Sequence, residues 1–307
     1  MKRSIFFVHI GSSEVARYAV LQAVSLGLDV NVVSDKSWAS VPGITFFDVA
    51  QYASATNSFR EVYRHASINH PDYERFCFER WFVILQIAKE RNLSNFYYAD
   101  SDLLVFPGAF DADFESRFVM FDTAWFNFFR NYTVLEAFCD YLLRLYAKRG
   151  FVELAQKYAI NGTPHLSDMH CFFEYAALNQ HVVAPLSAVG TFLGFSERFS
   201  LVDNVVPPQR CPFIQEIHRG EAGLYYRMKG SDNSVNVRTL HFQGRSKPFI
   251  AAYHDISDMS LQTHLVPLSD WYVANDLLSH SDCKMMNDVL HGEIHAGQIA
   301  RTVGQFA

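Results

Sequence analysis

Residues 4–35 change hydrophobic period twice, and this restricts the fold more than any other stretch. Positions 4–10 are an apolar run that reads as a buried strand. Gly11-Ser12-Ser13 is a turn and helix cap, after which Val15, Ala19, Ala23 and Leu26 recur at helical spacing until Gly27. Val30-Asn31-Val32-Val33-Ser34 is a second strand that ends at Asp35. Strand, helix, strand is a βαβ opening, which implies an α/β protein. In such sheets ligands are met at the carboxyl ends of the strands.

The next constraint is Phe96-Tyr97-Tyr98-Ala99-Asp100-Ser101-Asp102-Leu103-Leu104-Val105-Phe106. Two carboxylates, one residue apart, sit between apolar runs, where they are costly unless a cation or hydrogen-bond donors compensate them. Held at a strand end, the pair suits a hard divalent cation that shares its oxygens with substrate phosphates. The plainer reading is an Asx-type turn in which the carboxylates bond local N–H groups. A helix over 73–91 precedes this stretch and is apolar on two sides, with Arg80 in line with Cys77, Ile84 and Ile87. A buried Arg80 needs an anion, either a core carboxylate or a ligand phosphate.

A short strand is expected over 44–47, a turn at Pro107-Gly108, a strand over 118–121, and helices over 134–149 and 151–157. Residues 121–138 are dense in aromatics, including Trp125; most read as core, and a few suit the apolar platform on which a sugar ring stacks. Ser167 is a helix N-cap and Asp168 lies in the first turn, where the helix dipole favours a negative charge. Later strands are expected over 181–184, 224–228 and 235–240, the last running into His241. The tail from 250 onward is partly helical, with candidates over 271–279 and 288–291.

The composition excludes several classes. Half of the 307 residues are hydrophobic and 19% are charged, so a large core is available and disorder is not the default. A net charge of −6 without a basic stripe argues against a nucleic-acid partner. Cys77, Cys139, Cys171, Cys211 and Cys283 are scattered and odd in number, which fits reduced thiols of a cytoplasmic protein. The apolar run behind Lys2 and Arg3 is short and broken by His9, so it reads as a strand and not a signal peptide. No segment approaches the roughly 18 apolar residues of a membrane span.

Three ordered stretches resemble the nucleotide-sugar glycosyltransferases of the GT-A fold, in particular the group related to glycosyltransferase family 8. The first is Arg80-Trp81-Phe82-Val83-Ile84-Leu85 followed by Tyr97-Tyr98-Ala99-Asp100-Ser101-Asp102. The second is Ser167-Asp168-Met169, and the third is His-x-x-Gly-x-x-Lys-Pro at His241, Gly244, Lys247 and Pro248. The pattern spans residues 4–250. Family 8 commonly has an Asp-Gln-Asp-type loop where this chain has only Asp168, and Leu where it has Ala99. The sequence therefore looks closer to a bacterial branch that builds surface polysaccharide.

The resemblance implies a Rossmann-like mixed sheet flanked by helices over 1–250, with a partly helical C-terminal extension over 251–307. It implies a hexosyltransferase that draws on a UDP-sugar, with retention favoured over inversion. The acceptor would be a carbohydrate or a glycolipid, and the protein would be cytoplasmic or peripheral at the inner membrane face. Asp100, Asp102 and His241 would hold Mn²⁺ or Mg²⁺. Arg80 would face the donor phosphates or sugar, and Asp168 would act beside the donor sugar. Ser101, Gly244 and Lys247 would contact the donor, while His9, Ile10, Gly11 and Asp35 would hold its nucleoside.

Elementary chemistry agrees with this assignment. Breaking the anomeric C–O bond of such a donor leaves negative charge on the diphosphate, which a bridging metal neutralises. Two carboxylates and an imidazole form a mixed oxygen and nitrogen set that suits Mn²⁺, with Mg²⁺ second. Two rivals remain. A phosphatase of the haloacid-dehalogenase type also places Asp-x-Asp after a strand, although Leu103-Leu104 replaces its usual Thr. A sugar-nucleotide binding protein could keep the fold without catalysis.

Overall fold

The computed structural model describes residues 3–110, 119–185, 192–195, 217–220, 223–227 and 234–242, together with 247, 250, 254, 256 and 258–262. β1 (Ser4–Val8), α1 (Glu14–Ser25) and β2 (Asp29–Ser34) form the expected βαβ unit, and β3 (Ile44–Asp48) follows. Ser13 caps α1 by accepting the Ala16 N–H, and Gly27 ends it with φ +73°, a conformation that favours glycine. β4 (Ser94–Ala99) pairs parallel with β1 on the side opposite β2. With β6 (Met120–Phe121), β7 (Phe126–Asn131) and β8 (Val183–Ala184), these strands make one seven-stranded sheet in the order β3-β2-β1-β4-β7-β6-β8. Only β7 runs against the others. The chain leaves β1 toward β2 on one side and later returns to β4 on the other, so a crevice opens at the carboxyl ends of β1 and β4.

Side-chain alternation along β1 feeds two cores. Ile5 and Phe7 pack with α1, whereas Phe6 and Val8 pack with the helices on the opposite face. Those helices are α2 (Asn57–Val62), α3 (Pro71–Glu90), α4 (Tyr132–Ala147), α5 (Gly150–Lys157) and α6 (Asp168–Leu178). They contribute Phe59, Trp81, Phe138, Phe151 and Phe172 to that core. A fully buried side chain of this size contributes about 1.5–3 kcal/mol.

Two smaller sheets complete the described chain. β5 (Leu103–Val105) pairs antiparallel with β13 (Thr239–Phe242), which pairs parallel with β9 (Phe192–Phe195). β10 (Ile217–Gly220), β11 (Gly223–Arg227) and β12 (Ser234–Asn236) form an antiparallel ribbon.

The structure departs from the sequence reading in several places, and β9 and β10 stand where no strand was expected. The single strand expected over 235–240 is two strands in different sheets, because the Phe106 N–H bonds the Arg238 carbonyl and turns the chain onto β5. The aromatic stretch contains an unforeseen strand, β7, fixed by Asn127, which accepts from the Phe121 N–H and donates to the Phe121 and Thr123 carbonyls. A 3-10 segment, Val49–Thr56, and α2 were also not foreseen. Of the tail, α7 (Met259–Gln262) is described, whereas 271–279 and 288–291 lie outside the described residues. Among the described residues no helix is long and apolar enough to cross a membrane.

Candidate functional site

The acidic pair sits on a joint between two sheets. β4 ends at Ala99, and the Asp100 N–H is held by the Trp125 carbonyl at 2.8 Å. The Leu103 N–H bonds the Asp100 carbonyl at 3.1 Å, closing a turn that carries Asp100, Ser101 and Asp102 from the main sheet into β5. Opposite Leu103 in the β5–β13 register stands His241, and the Phe242 N–H bonds the Asp102 carbonyl at 2.9 Å. This register puts the imidazole on the carboxylates. His241 Nε2 lies 3.1 Å from Asp102 Oδ1 and 3.6 Å from Asp100 Oδ2. Trp125 stacks on the His241 ring, with centroids 5.3 Å apart. Lys247 Nζ lies 3.0 Å from Asp102 Oδ2. Burial pushes the Asp102 carboxyl up, but the His241 ring and the Lys247 ammonium outweigh it and hold the group well below the usual carboxylate range.

Behind this pair Arg80 is enclosed on α3. Its Nη1 donates to Asp100 Oδ1 at 2.7 Å and to the Tyr98 hydroxyl at 2.5 Å. Its Nη2 donates to Asp168 Oδ2 at 2.7 Å and to the Ala124 carbonyl at 3.3 Å. The Tyr98 hydroxyl in turn donates to Asp100 Oδ1 at 2.5 Å. The guanidinium carbon lies 5.0 Å from the Trp81 ring centroid and 4.9 Å from that of Tyr98, a cation–π arrangement. Of the two anions open in the sequence, the structure thus supplies carboxylates of the chain itself. Asp168 opens α6, buried, and also accepts the Trp81 indole N–H at 3.0 Å. Burial raises its carboxyl, and Arg80 and Trp81 pull it back only in part.

The β1–α1 connection closes the other side. His9 Nδ1 lies 2.9 Å from Ser101 Oγ, which ties the end of β1 to the acidic turn. Burial, and then the nearby Lys247 charge, lower the His9 imidazole. Asp35 accepts the Gly11 N–H at 2.8 Å and the Ser37 N–H at 3.0 Å, and the Trp38 indole donates to the Gly11 carbonyl at 2.9 Å. Gly11 sits at φ +86°, where a side chain would be strained, and Ile10 is exposed.

Of the residues singled out in the sequence, Asp100, Asp102, His241, Lys247, Ser101, His9, Arg80 and Asp168 therefore form one connected cluster at the crevice. Asp35 and Gly11 adjoin it as loop-shaping groups, and Gly244 lies outside the described residues. Asp100, Asp102 and His241 each offer a donor atom within 4.8 Å of the others. Small side-chain rotations bring such a set to the ~2 Å of a single divalent ion, so the donors fit one. Trp125, half-buried, is among the aromatics that the sequence leaves open between core and sugar platform. Two participants went unrecognised, Tyr98 and Trp81, and each reads as an ordinary core aromatic. The available signal was that a buried Tyr or Trp needs a partner for its polar atom.

These elements define a mixed α/β protein with a carboxylate and imidazole cluster at the crevice of its main sheet. No protein-family model matches the chain, and no curated protein matches it. Among solved structures it is similar to PaToxG Glycosyltransferase, with 14% identity, a TM-score of 0.32, and 59% of this chain and 70% of that chain covered. A likeness of that depth carries no weight for the chemistry, which stands on the site.

Proposed function

We propose that this chain is a metal-dependent glycosyltransferase of the GT-A kind, related to family 8. It moves a hexose from a UDP-sugar to a hydroxyl of a carbohydrate or glycolipid acceptor in surface-polysaccharide synthesis. Residues 1–250 form the transferase domain and 251–307 an extension. The observation that carries this reading is the convergence of Asp100, Asp102 and His241 on one point, with Lys247 beside them.

Asp100 Oδ2, an Asp102 oxygen and His241 Nε2 would hold Mn²⁺, or Mg²⁺, His241 doing so in the tautomer that carries its hydrogen on Nδ1. Such an ion would supply charge neutralisation for the departing diphosphate. Lys247 would add a point charge on the same diphosphate, and Gly244 is the residue expected from the sequence to let backbone N–H groups reach it. Asp168 faces the developing positive charge of the sugar through its carboxylate field, as glycosidase carboxylates do. Arg80 is a positioning residue, because its guanidinium orients Asp100 and Asp168 together. His9 and Ser101 shape the floor, and Ile10, Gly11 and Asp35 take the nucleoside side.

The test is UDP release from a panel of UDP-sugars with Mn²⁺, with products read by mass spectrometry. Asp102→Asn is expected to lower metal-dependent release by about two orders of magnitude or more, and His241→Ala to weaken it. Wild-type rates in both variants would remove the metal centre. Free phosphate from phosphomonoesters would favour a phosphatase, and nucleotide binding without turnover a non-catalytic receptor.

A further inference from the structure

We propose that Lys247 is a resident counter-ion that changes partner. In the ligand-free protein it neutralises Asp102, and a nucleoside diphosphate draws it away, so that cation and diphosphate bind cooperatively. This rests on reading the acidic pair as a metal centre.

Both oxygens of Asp102 are in use, Oδ1 by His241 at 3.1 Å and Oδ2 by Lys247 at 3.0 Å. Asp100 Oδ1 is held by Arg80 and Tyr98. Among the described residues, only Asp100 Oδ2 faces the cluster without a closer approach than the 3.6 Å to His241. A hard cation held by Asp100 Oδ2, Asp102 Oδ1 and His241 Nε2 takes over the contact between Asp102 and His241, and it comes to lie beside the like charge of Lys247 on the other oxygen of the same carboxylate. His241 is buried, fixed in β13 and covered by Trp125, so it stays. Lys247 is 43% exposed on a four-carbon stem, so it is the group that leaves.

Charge points the same way. Three carboxylates (Asp100, Asp102 and Asp168) face two permanent cations, Arg80 and Lys247. Adding a divalent ion makes the cluster positive and repels the ammonium. A diphosphate restores the balance and offers the displaced ammonium a new anion. The cation alone competes with Lys247, whereas cation and diphosphate together satisfy it.

The test is calorimetric titration with Mn²⁺ alone, UDP alone, and Mn²⁺ in saturating UDP. Wild-type protein is expected to bind Mn²⁺ about tenfold or more tightly in the presence of UDP, and UDP reciprocally with Mn²⁺. Lys247→Met is expected to bind Mn²⁺ alone about tenfold more tightly than wild type, to bind UDP more weakly, and to lose part of the enhancement. Lys247→Arg keeps the charge and should keep the wild-type Mn²⁺ affinity. If Lys247→Met leaves Mn²⁺ affinity unchanged or weaker, while Asp102→Asn abolishes binding, the exchange is overturned and the metal centre stands. If Asp102→Asn leaves Mn²⁺ binding intact, the metal centre fails and the exchange fails with it. Lys247 is exposed enough that its variants are expected to fold, and circular dichroism checks this.

Discussion

At the scale of single residues, Tyr98 decides which oxygen Asp100 offers. Its hydroxyl occupies the Oδ1 side together with Arg80 and leaves Oδ2 toward His241. Tyr98→Phe keeps the ring and the direct Arg80–Asp100 pair but frees the carboxylate to rotate. The expected cost is about 1–2 kcal/mol in urea unfolding, because one buried hydrogen-bonded hydroxyl is lost. Mn²⁺ affinity should fall about tenfold, the usual effect of removing an outer partner of a metal ligand. An unchanged affinity with lowered stability would make Tyr98 a core residue only. The charges of this cluster were legible in the sequence because carboxylates and an arginine between apolar residues demand partners. Their pairing was not. Arg80 meets Asp100 and Asp168 from positions 20 and 88 residues away, a contact that no local pattern encodes.

At the scale of elements, the amino end of α6 places Asp168, and it is sensitive to protons. Ser167 caps the helix, and its backbone N–H donates to His170 Nδ1 at 3.1 Å, which requires a neutral ring. The ring also stacks on Tyr158 at 4.1 Å. Burial, and then His165, push the His170 imidazole down to about 4 from 6.5. The unfolded chain therefore takes up a proton near pH 6.5 that the folded chain refuses until about pH 4. The contribution to stability is complete above the higher value, declines as pH falls through the window, and is gone below the lower one. For a half-exposed ring it amounts to about 1–2 kcal/mol after screening. His170→Gln keeps a side chain able to accept the capping hydrogen bond and removes the titration. Unfolding free energies at pH 7 and pH 5 should differ less in this variant than in wild type, and an equal difference would place the proton elsewhere. The helix itself was readable from Ser167, but the histidine at its third position was not, because a capping box ordinarily carries Glu or Gln there.

At the scale of the whole molecule, the alternation of strand and helix in the first hundred residues was legible except over 49–62. β1, α1, β2, β3, α3 and β4 fall within a few residues of their expected positions because each has one dominant period. β7 was hidden because it is buried on both faces, so its aromatics show no alternation. The break between β12 and β13 was hidden because the segment that follows β5 imposes it, through the bond of Arg238 to the Gly108 carbonyl, 130 residues earlier, and that of the Phe106 N–H to the Arg238 carbonyl. The convergence of His241 on Asp102 is of the same kind, with 139 residues intervening.

The turn that bears the two aspartates leaves one sheet and enters another, and this makes any ion seated there a staple as well as a reagent. It would fasten two segments that lie 139 residues apart in the chain, so the whole fold should melt later when the staple is in place. At a hundredfold excess over Kd, such a ligand adds about 2.7 kcal/mol to unfolding. Heating in Mn²⁺ against heating in chelator should therefore raise the midpoint of wild type by several degrees and that of His241→Ala by less, and an equal rise in both would mean that the ion touches only one of the two sheets.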